Sequence, residues 1–449
     1  MRLTKPVFDG KKDAGWIVTF QYPMRLRDSF PAGDSREGFS SRATWTAGAL
    51  LLILYLLAGV AYSAWLAPVA RYPDEDDYLK LSYNLLHGPG YSMDGVHLTA
   101  SRPPGYVFFL SVIRAMGGDF FSFRVVQFLA LGATILLISR LGSDKGRSSS
   151  LVLVTGLVIC YPLLFYISGI LYPQILSGFL FILALVFILE NPRGPTLNLA
   201  AGLTFGALIL VVPTFLFTFV VVLGTAYFLK IVRWRDILPI TLAVALVIGS
   251  WTARNAVVFH RFVPIASSSG MNFLEGNNPQ ATPKEAASNV AMNPYYQEAA
   301  RRGLDEFQTD QFFKDTALTW IKTHPGDALV LYFEKVLNFF NISNVYSYRI
   351  QGEASAAKQV VLAASYLLLL ALLGWRLVEI KRFPLLTREK LFLIVYILSA
   401  FTSAIFFTRI RHRLPYDYLI ITVIALHISR RLELWIAARR SISDSARTT

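Results

Sequence analysis

Charge is scarce in this sequence. Asp, Glu, Lys and Arg make up 16% of its 449 residues, against about 25% in an ordinary soluble domain, while hydrophobic residues reach 54%. A soluble globular enzyme is excluded and an integral membrane protein is implied. Cysteine is scarcer still. Cys160 stands alone inside an apolar run, so no intramolecular disulfide can form and cysteine usage says nothing about redox compartment. The six His show no paired ligand spacing such as i, i+4. Acidic residues number 29 against 43 Lys and Arg, a net charge of +14. In a soluble protein that excess would raise nucleic acid as a partner. No basic–aromatic recognition motif stands in a soluble segment here, so no nucleic acid is expected. No internal repeat is evident, which weighs against a transporter built from two related halves.

Apolar length is what the sequence has instead. About 20 apolar residues cross the hydrocarbon core as a helix. The first such run is 47–70, followed by runs near 120–139, 150–168, 170–189, 197–212, 214–230, 237–253, 358–376, 390–408 and 414–430. The expected fold class is therefore an all-α polytopic membrane protein with about ten transmembrane helices. The run 47–70 is too long, and too far from the N-terminus, for a cleaved signal peptide. Residues 1–46 show no fold signal and are expected to be a cytoplasmic extension, with a basic cytoplasmic tail at 431–449.

Lys and Arg set the orientation. With the N-terminus inside, the inner segments are 1–46, which carries eight Lys or Arg, "SRLGSDKGR", "ENPRG", "LKIVRWRD", "GWRLVEIKRFPLLTREK" and the tail. All but "ENPRG" are rich in basic residues, as the positive-inside rule requires. The turns near Ser168 and Val212 carry none. Two large outer segments follow, 71–119 and 254–357.

The first opens with "RYPDEDDYLKLSYNLLHGPGY", where Asp74, Glu75, Asp76 and Asp77 stand in a row directly after a span. Tyr78, Leu81 and Leu85 recur at i, i+3, i+7, the mark of an amphipathic helix. Its first turn would hold the carboxylates at the positive end of the helix dipole. Pro73 precedes it and Gly88-Pro89-Gly90 ends it. The apolar stretch 104–113, after "SRPP", is too short to span and reads as an interfacial or re-entrant helix. Residues 282–320 are polar and read as helices capping the site.

The stretch "DEDDYLKLSYNLLHGPGY" followed by "RPPGY", on the outer side of the first span, resembles the GT-C class of glycosyltransferases. Within it the chain is similar to the branch of bacterial lipid A aminoarabinose transferases and protein O-mannosyltransferases. "SWTARN" (250–255), "SSSGMNFLEGNNPQA" (267–281), "THPGDALVLYFEKVLNFF" (323–340) and "RIRHRLPYDYLI" (409–420) extend the resemblance over roughly residues 47–430. It implies a GT-C catalytic domain in the cytoplasmic membrane, with its site facing the periplasm or cell exterior. There a sugar would pass, with inversion, from a polyprenyl-phosphate donor to a lipid, glycan or protein acceptor.

The resemblance places Asp74 as the catalytic carboxylate, either general base on the acceptor or support for an oxocarbenium-like transition state, with Glu75 sharing or orienting. Arg411 and Arg413, together with Arg102 and Lys335, are the candidates for binding the donor phosphate, since guanidinium forks suit phosphate oxygens. Tyr78, Tyr106, Gln174, Arg254 and Asn255 are candidates for sugar or acceptor contacts. Gln174 stands where many members carry an acid, and Val212-Pro213-Thr214 where many carry Arg before Pro. Both differences bear on the type of donor or acceptor. No metal or other cofactor is expected, since arginines can meet the phosphate charge. The alternative metal site would draw on His87 or His97 with Asp74 or Glu75. Alternative functions are an oligosaccharide polymerase or ligase using polyprenyl-linked donors, and a lipid or solute transporter. Membrane lipids are partners in every case, and oligomeric state is open.

Overall fold

Apolar runs that cannot hydrogen-bond their backbone to lipid must satisfy it internally, and this chain does so with helices. The computed structural model describes residues 35–143, 149–190, 194–283, 289–342 and 356–448, and among them every extended regular element is helical. Two compact units divide the chain, Met1–Ser40 and Ser41–Thr449. The elements below belong to the second, apart from the first residues of α1. The extension expected over 1–46 falls largely on residues 1–34, outside the described residues; α1 begins at Ser35.

The helices are α1 (Ser35–Trp65), α2 (Pro73–His87), α3 (Pro104–Ala115), α4 (Phe120–Leu141), α5 (Ser149–Ile159), α6 (Leu163–Ser168), α7 (Gln174–Leu189), α8 (Pro195–Val211), α9 (Phe215–Phe228) and α10 (Trp234–Phe259). Then follow α11 (Ser269–Gly276), α12 (Asn289–Arg301), α13 (Glu306–Thr323), α14 (Pro325–Phe339), α15 (Ala356–Val378), α16 (Thr387–Ala404) and α17 (Ile410–Thr448). Among the described residues, four stretches are long and apolar enough to cross a membrane: Ala43–Trp65, Phe120–Leu141, Trp234–Phe259 and Gln359–Lys381. Shorter apolar helices, α3, α5, α7, α8 and α9, accompany them. Leu50, Ile53, Leu54 and Leu57 of α1, Leu238, Leu242 and Leu246 of α10, and Val360, Val361 and Leu367 of α15 are exposed. Hydrocarbon is the solvent such faces require. The chain is a helical, multi-pass membrane protein.

The middle of the unit is the N-terminal half of α17. Leu414, Tyr418, Leu419, Ile420, Ile421, Val423, Ile424, Ala425 and Leu426 are buried, and the helix packs on α16, α7, α5, α15 and α4. α8 packs on α7 and α10, and α4 on α7.

The expected boundaries mostly match. The turn at Val212-Pro213-Thr214 separates α8 from α9. The run 150–168 instead breaks into α5 and α6 across Cys160-Tyr161-Pro162. Pro162 offers no N–H to continue a helix, and the buried Tyr161 hydroxyl donates to Asp417 on α17 at 2.7 Å. Helices also form at the two stretches expected to lie at the interface. α2 starts on Pro73, and its cap residue Gly88 donates N–H to Asn84 O at 2.8 Å. α3 starts beside Pro103, where Gly105 packs on the C-terminal end of α8 so tightly that a Cβ would lie 2.6 Å from Val211 N. Within the polar stretch 282–320, residues 289–301 form α12 and residues 306–320 most of α13, and α13 packs on α11 around Leu274, Met292, Phe313 and Ala317.

Candidate functional site

The site forms where α1 ends and α7 and α17 begin. α2 carries the acidic tetrad in its first turn, stabilised by the helix dipole, but the four carboxylates have different fates. Asp74 lies between two guanidinium groups: Arg102 Nη2 reaches Oδ1 at 2.8 Å and Arg411 Nη1 reaches Oδ2 at 2.9 Å. Arg102 also binds Asp77 Oδ2, through Nε at 3.1 Å and Nη2 at 2.6 Å. Its Nη1 has no protein partner among the described residues. The Tyr172 phenol also helps to lower the Asp74 carboxyl, and its ring lies 5.5 Å from the Arg411 guanidinium. The Asp74 and Arg102 side chains keep about a fifth of their surface exposed, 20% and 21%, so the cluster is accessible. Burial alone would raise the Asp74 carboxyl, but Arg102 and Arg411 outweigh it and hold its pKa well below the usual carboxylate range.

Glu75 faces the other way and is buried. Its Oε2 accepts from the backbone N–H groups of Arg71 at 2.5 Å and Tyr72 at 3.0 Å, and its Oε1 from Leu171 N–H at 2.7 Å. It therefore ties the start of α2 to the segment leading into α7.

Arg102 is presented by a strap, residues 99–103. Tyr91 Oη donates to Arg102 O at 2.8 Å. Glu306, opening α13, accepts from Thr99 Oγ1 at 2.7 Å and Ala100 N–H at 3.0 Å, and also from Ser267 Oγ. Arg254 supports the strap from behind, donating to Thr99 O at 3.2 Å while its guanidinium lies 4.8 Å from the Trp251 ring. Asn255 is buried and donates to Val263 O at 2.9 Å, closing the loop after α10. Trp251 joins the same structure, its indole N–H donating to Ile265 O at 2.8 Å.

Tyr78 is buried beside the site, with its ring 5.0 Å from Tyr106 and 6.2 Å from Tyr172. Its phenol pKa is pushed up to about 12, by burial first and Asp74 second. Tyr106 is buried behind it and donates to Gln127 at 2.9 Å. Gln174 is buried at the first turn of α7.

The expected phosphate set is divided by the structure. Arg411 and Arg413 are two residues apart on one helix, so their side chains take different faces. Arg411 meets Asp74, whereas Arg413 is buried and engages Asp417 at 3.2 Å, Phe339 O at 3.2 Å and Asn341 O at 3.1 Å. Lys335 is also buried, and burial lowers its pKa to about 7. Its Nζ donates to Gly276 O at 3.0 Å, Asn277 Oδ1 at 3.1 Å and Phe406 O at 2.9 Å. These contacts fasten α11 and α14 to the segment before α17. The two candidate histidines lie elsewhere: His97 pairs with Asp94 at 2.7 Å and His87 stacks on Tyr83. No group of three His, Cys, Asp or Glu suited to a metal occurs among the described residues.

Three residues of this neighbourhood were not singled out from sequence: Tyr172, Arg409 and Glu275. Arg409 is buried just before α17, over the Phe407 ring at 4.8 Å. Glu275 stands at the end of α11, in the field of Arg409, Arg411, Asp74 and Arg102. Arg409 could have been found, since it shares "RIRHR" with Arg411. A lone Glu in "NFLEGNN" gives no such signal.

No family model matches the chain, and no curated protein does. Among solved structures, the chain is similar to the archaeal oligosaccharyltransferase AglB from Archaeoglobus fulgidus, in complex with an inhibitory peptide and a dolichol-phosphate. That likeness has 14% identity and a TM-score of 0.47, and covers 91% of this chain and 52% of that one. It is also similar to ArnT from Cupriavidus metallidurans bound to undecaprenyl phosphate, at 11% identity and a TM-score of 0.42, covering 88% of this chain and 79% of that one. The chain thus spans about half the length of the oligosaccharyltransferase.

Proposed function

We propose that this protein is a GT-C glycosyltransferase, passing a sugar from a polyprenyl-phosphate donor to a lipid or glycan acceptor at the outer boundary of the cytoplasmic membrane, with inversion. The observation that carries the reading is Asp74 held between Arg102 and Arg411, part-exposed, at one end of an apolar helical bundle. A polyprenyl-linked sugar is an apolar tail joined to an anionic phosphate and a polar ring. It would need lipid-facing helices, cations at their ends and a carboxylate beside the cations. All three meet here.

In this reading Arg102 and Arg411 bind the phosphate and stabilise the charge that grows on it as the glycosidic bond breaks. Asp74 holds both guanidinium groups in place, and its permanent charge supports the oxocarbenium-like transition state. Its depressed pKa favours this electrostatic role over that of a base. Tyr78 and Tyr172 are buried and back the cluster from behind. Glu75, Asn255, Arg254, Lys335 and Arg413 serve by position, each occupied by protein groups. Mass spectrometry of envelope lipids and glycans from cells with and without the protein tests the reading. It predicts species heavier by one sugar residue only where the protein is made, and identical spectra would refute it.

A further inference from the structure

Asp76 is exposed, and the other acidic side chains of the neighbourhood, with one exception, are engaged by hydrogen-bond donors. Asp74 holds two arginines, Asp77 holds Arg102 and Glu75 holds three amides. Glu306 holds Thr99 and Ala100, and Asp310 holds Gly270 N–H at 2.6 Å. The Glu275 carboxylate accepts no hydrogen bond and forms no ion pair among the described residues, although its backbone O accepts from Asn278 Nδ2 at 3.3 Å.

Its place is nevertheless fixed from both sides. The chain entering α11 is tied to the Arg102 strap through Ser267 N–H, which donates to Ala100 O at 2.8 Å. The other end of α11 is clamped to the segment entering α17. Asn277 Nδ2 donates to Ile405 O at 3.0 Å, and Lys335 bridges Gly276 O and Phe406 O. Gly276 must be glycine, because any Cβ would collide with Phe406 O. Glu275, next to Gly276, thereby stands between the Arg102 strap and the entry to α17, where the charges of Arg409, Arg411, Asp74 and Arg102 act on its carboxyl and its own charge acts on Tyr296 of α12.

We infer that Glu275 is the proton acceptor for the acceptor hydroxyl. This rests on the glycosyl-transfer reading. In the step, the hydroxyl oxygen forms the new bond to the anomeric carbon as the bond from that carbon to the phosphate oxygen breaks. The electron pair leaves with the phosphate, which Arg102 and Arg411 hold, and the hydroxyl proton passes to the Glu275 carboxylate. Products are the glycoside and the polyprenyl phosphate. Burial raises the Glu275 pKa, and Arg409 and Arg411 oppose it incompletely. A phosphodiester anion on Arg411 would weaken that opposition and move the carboxyl closer to the operating pH of a general base. His412 beside Arg411 is lowered to about 3 by burial, so it is neutral across the range in which Glu275 would titrate.

Membrane vesicles from the expressing cells, holding their own donors and acceptors, allow product formation to be followed by mass spectrometry from pH 5 to 9. Purified protein is titrated in parallel with undecaprenyl phosphate. For wild type, rates are expected to rise with pH along an acid limb and then level off. Glu275→Gln should lower the rate at pH 7 by about 10²-fold or more and flatten that limb, with undecaprenyl phosphate affinity and melting temperature unchanged. Glu275→Asp should restore part of the rate. No product from wild type overturns both this assignment and the glycosyl-transfer reading. Product from wild type with an equal rate and pH profile in Glu275→Gln overturns this assignment alone. A Glu275→Gln protein that loses undecaprenyl phosphate binding or its fold together with its rate, with no recovery in Glu275→Asp, also overturns it and makes Glu275 a structural residue.

Discussion

Replacing Asp74 by Asn keeps the shape of the side chain and removes the charge on which Arg102 and Arg411 converge. Transfer should fall by roughly 10²-fold, measured as product rate in vesicles. Asp77→Asn should cost far less, because Arg102 retains Asp74. The Asp74 carboxyl is lowered in the folded protein. Its contribution to stability is therefore fully present above the ordinary carboxylate range, near pH 4, and is lost only as pH falls through the lower folded value. Melting temperature in detergent should accordingly show no Asp74-dependent change between pH 5 and 8, and a difference between wild type and Asp74→Asn that shrinks only in strong acid. Glu75→Gln should act on the fold, since an amide can accept at one position only. The unmatched backbone groups should lower stability by about 1–3 kcal/mol, read by the same melts. At this scale the sequence showed Asp74 through the tetrad and Arg102 through "SRPPGY". The division of labour between Asp74 and Glu75 was hidden, because adjacent residues on a helix face different partners and those partners come from distant segments.

Helix interiors and ends decide what the basic residues of α17 do. Arg411 sits in its first turn with Asp74, while Arg413 turns inward to Asp417, Tyr161 and the carbonyls of Phe339 and Asn341 at the end of α14. Arg413→Ala would leave Asp417 buried without its cation, a loss of about 3–5 kcal/mol. Lower melting temperature, and no selective change in undecaprenyl phosphate affinity of the protein that remains folded, is the expected result. Arg411→Ala should show the reverse pattern. The α8–α9 turn was legible because Pro213 interrupts the apolar pattern. The α5–α6 break was not read, although Pro162 marks it, because hydropathy weighs neither a missing N–H nor a Tyr161 hydroxyl drawn to Asp417. α11 was equally hidden: its anchor is Gly276 against Phe406, a contact between segments far apart in sequence.

On the scale of the molecule, apolar length and basic-residue placement together predict sidedness. Reporter fusions after Gly95 and near Asn278 should read outside, and fusions at Lys145 and after Arg440 inside. A cytoplasmic reading at Gly95 would put the carboxylate cluster on the wrong face for the proposed reaction. The helical, multi-pass class was legible from composition and run length alone, since a bilayer leaves few other ways to satisfy a backbone. The chemistry of the cluster required the fold, which brings α2, the 99–103 strap, α11 and α17 to one place. The most direct test of the central claim reconstitutes purified protein in liposomes with polyprenyl-phosphate sugars and envelope lipids extracted from the expressing cells. Both lipid pools are then weighed by mass spectrometry over time. Sugar transfer predicts matched loss of the sugar-linked polyprenyl phosphate, gain of free polyprenyl phosphate and gain of a sugar-bearing acceptor with wild type, and none of these with Asp74→Asn. Sugar-linked polyprenyl phosphate that stays intact with wild-type protein would contradict it.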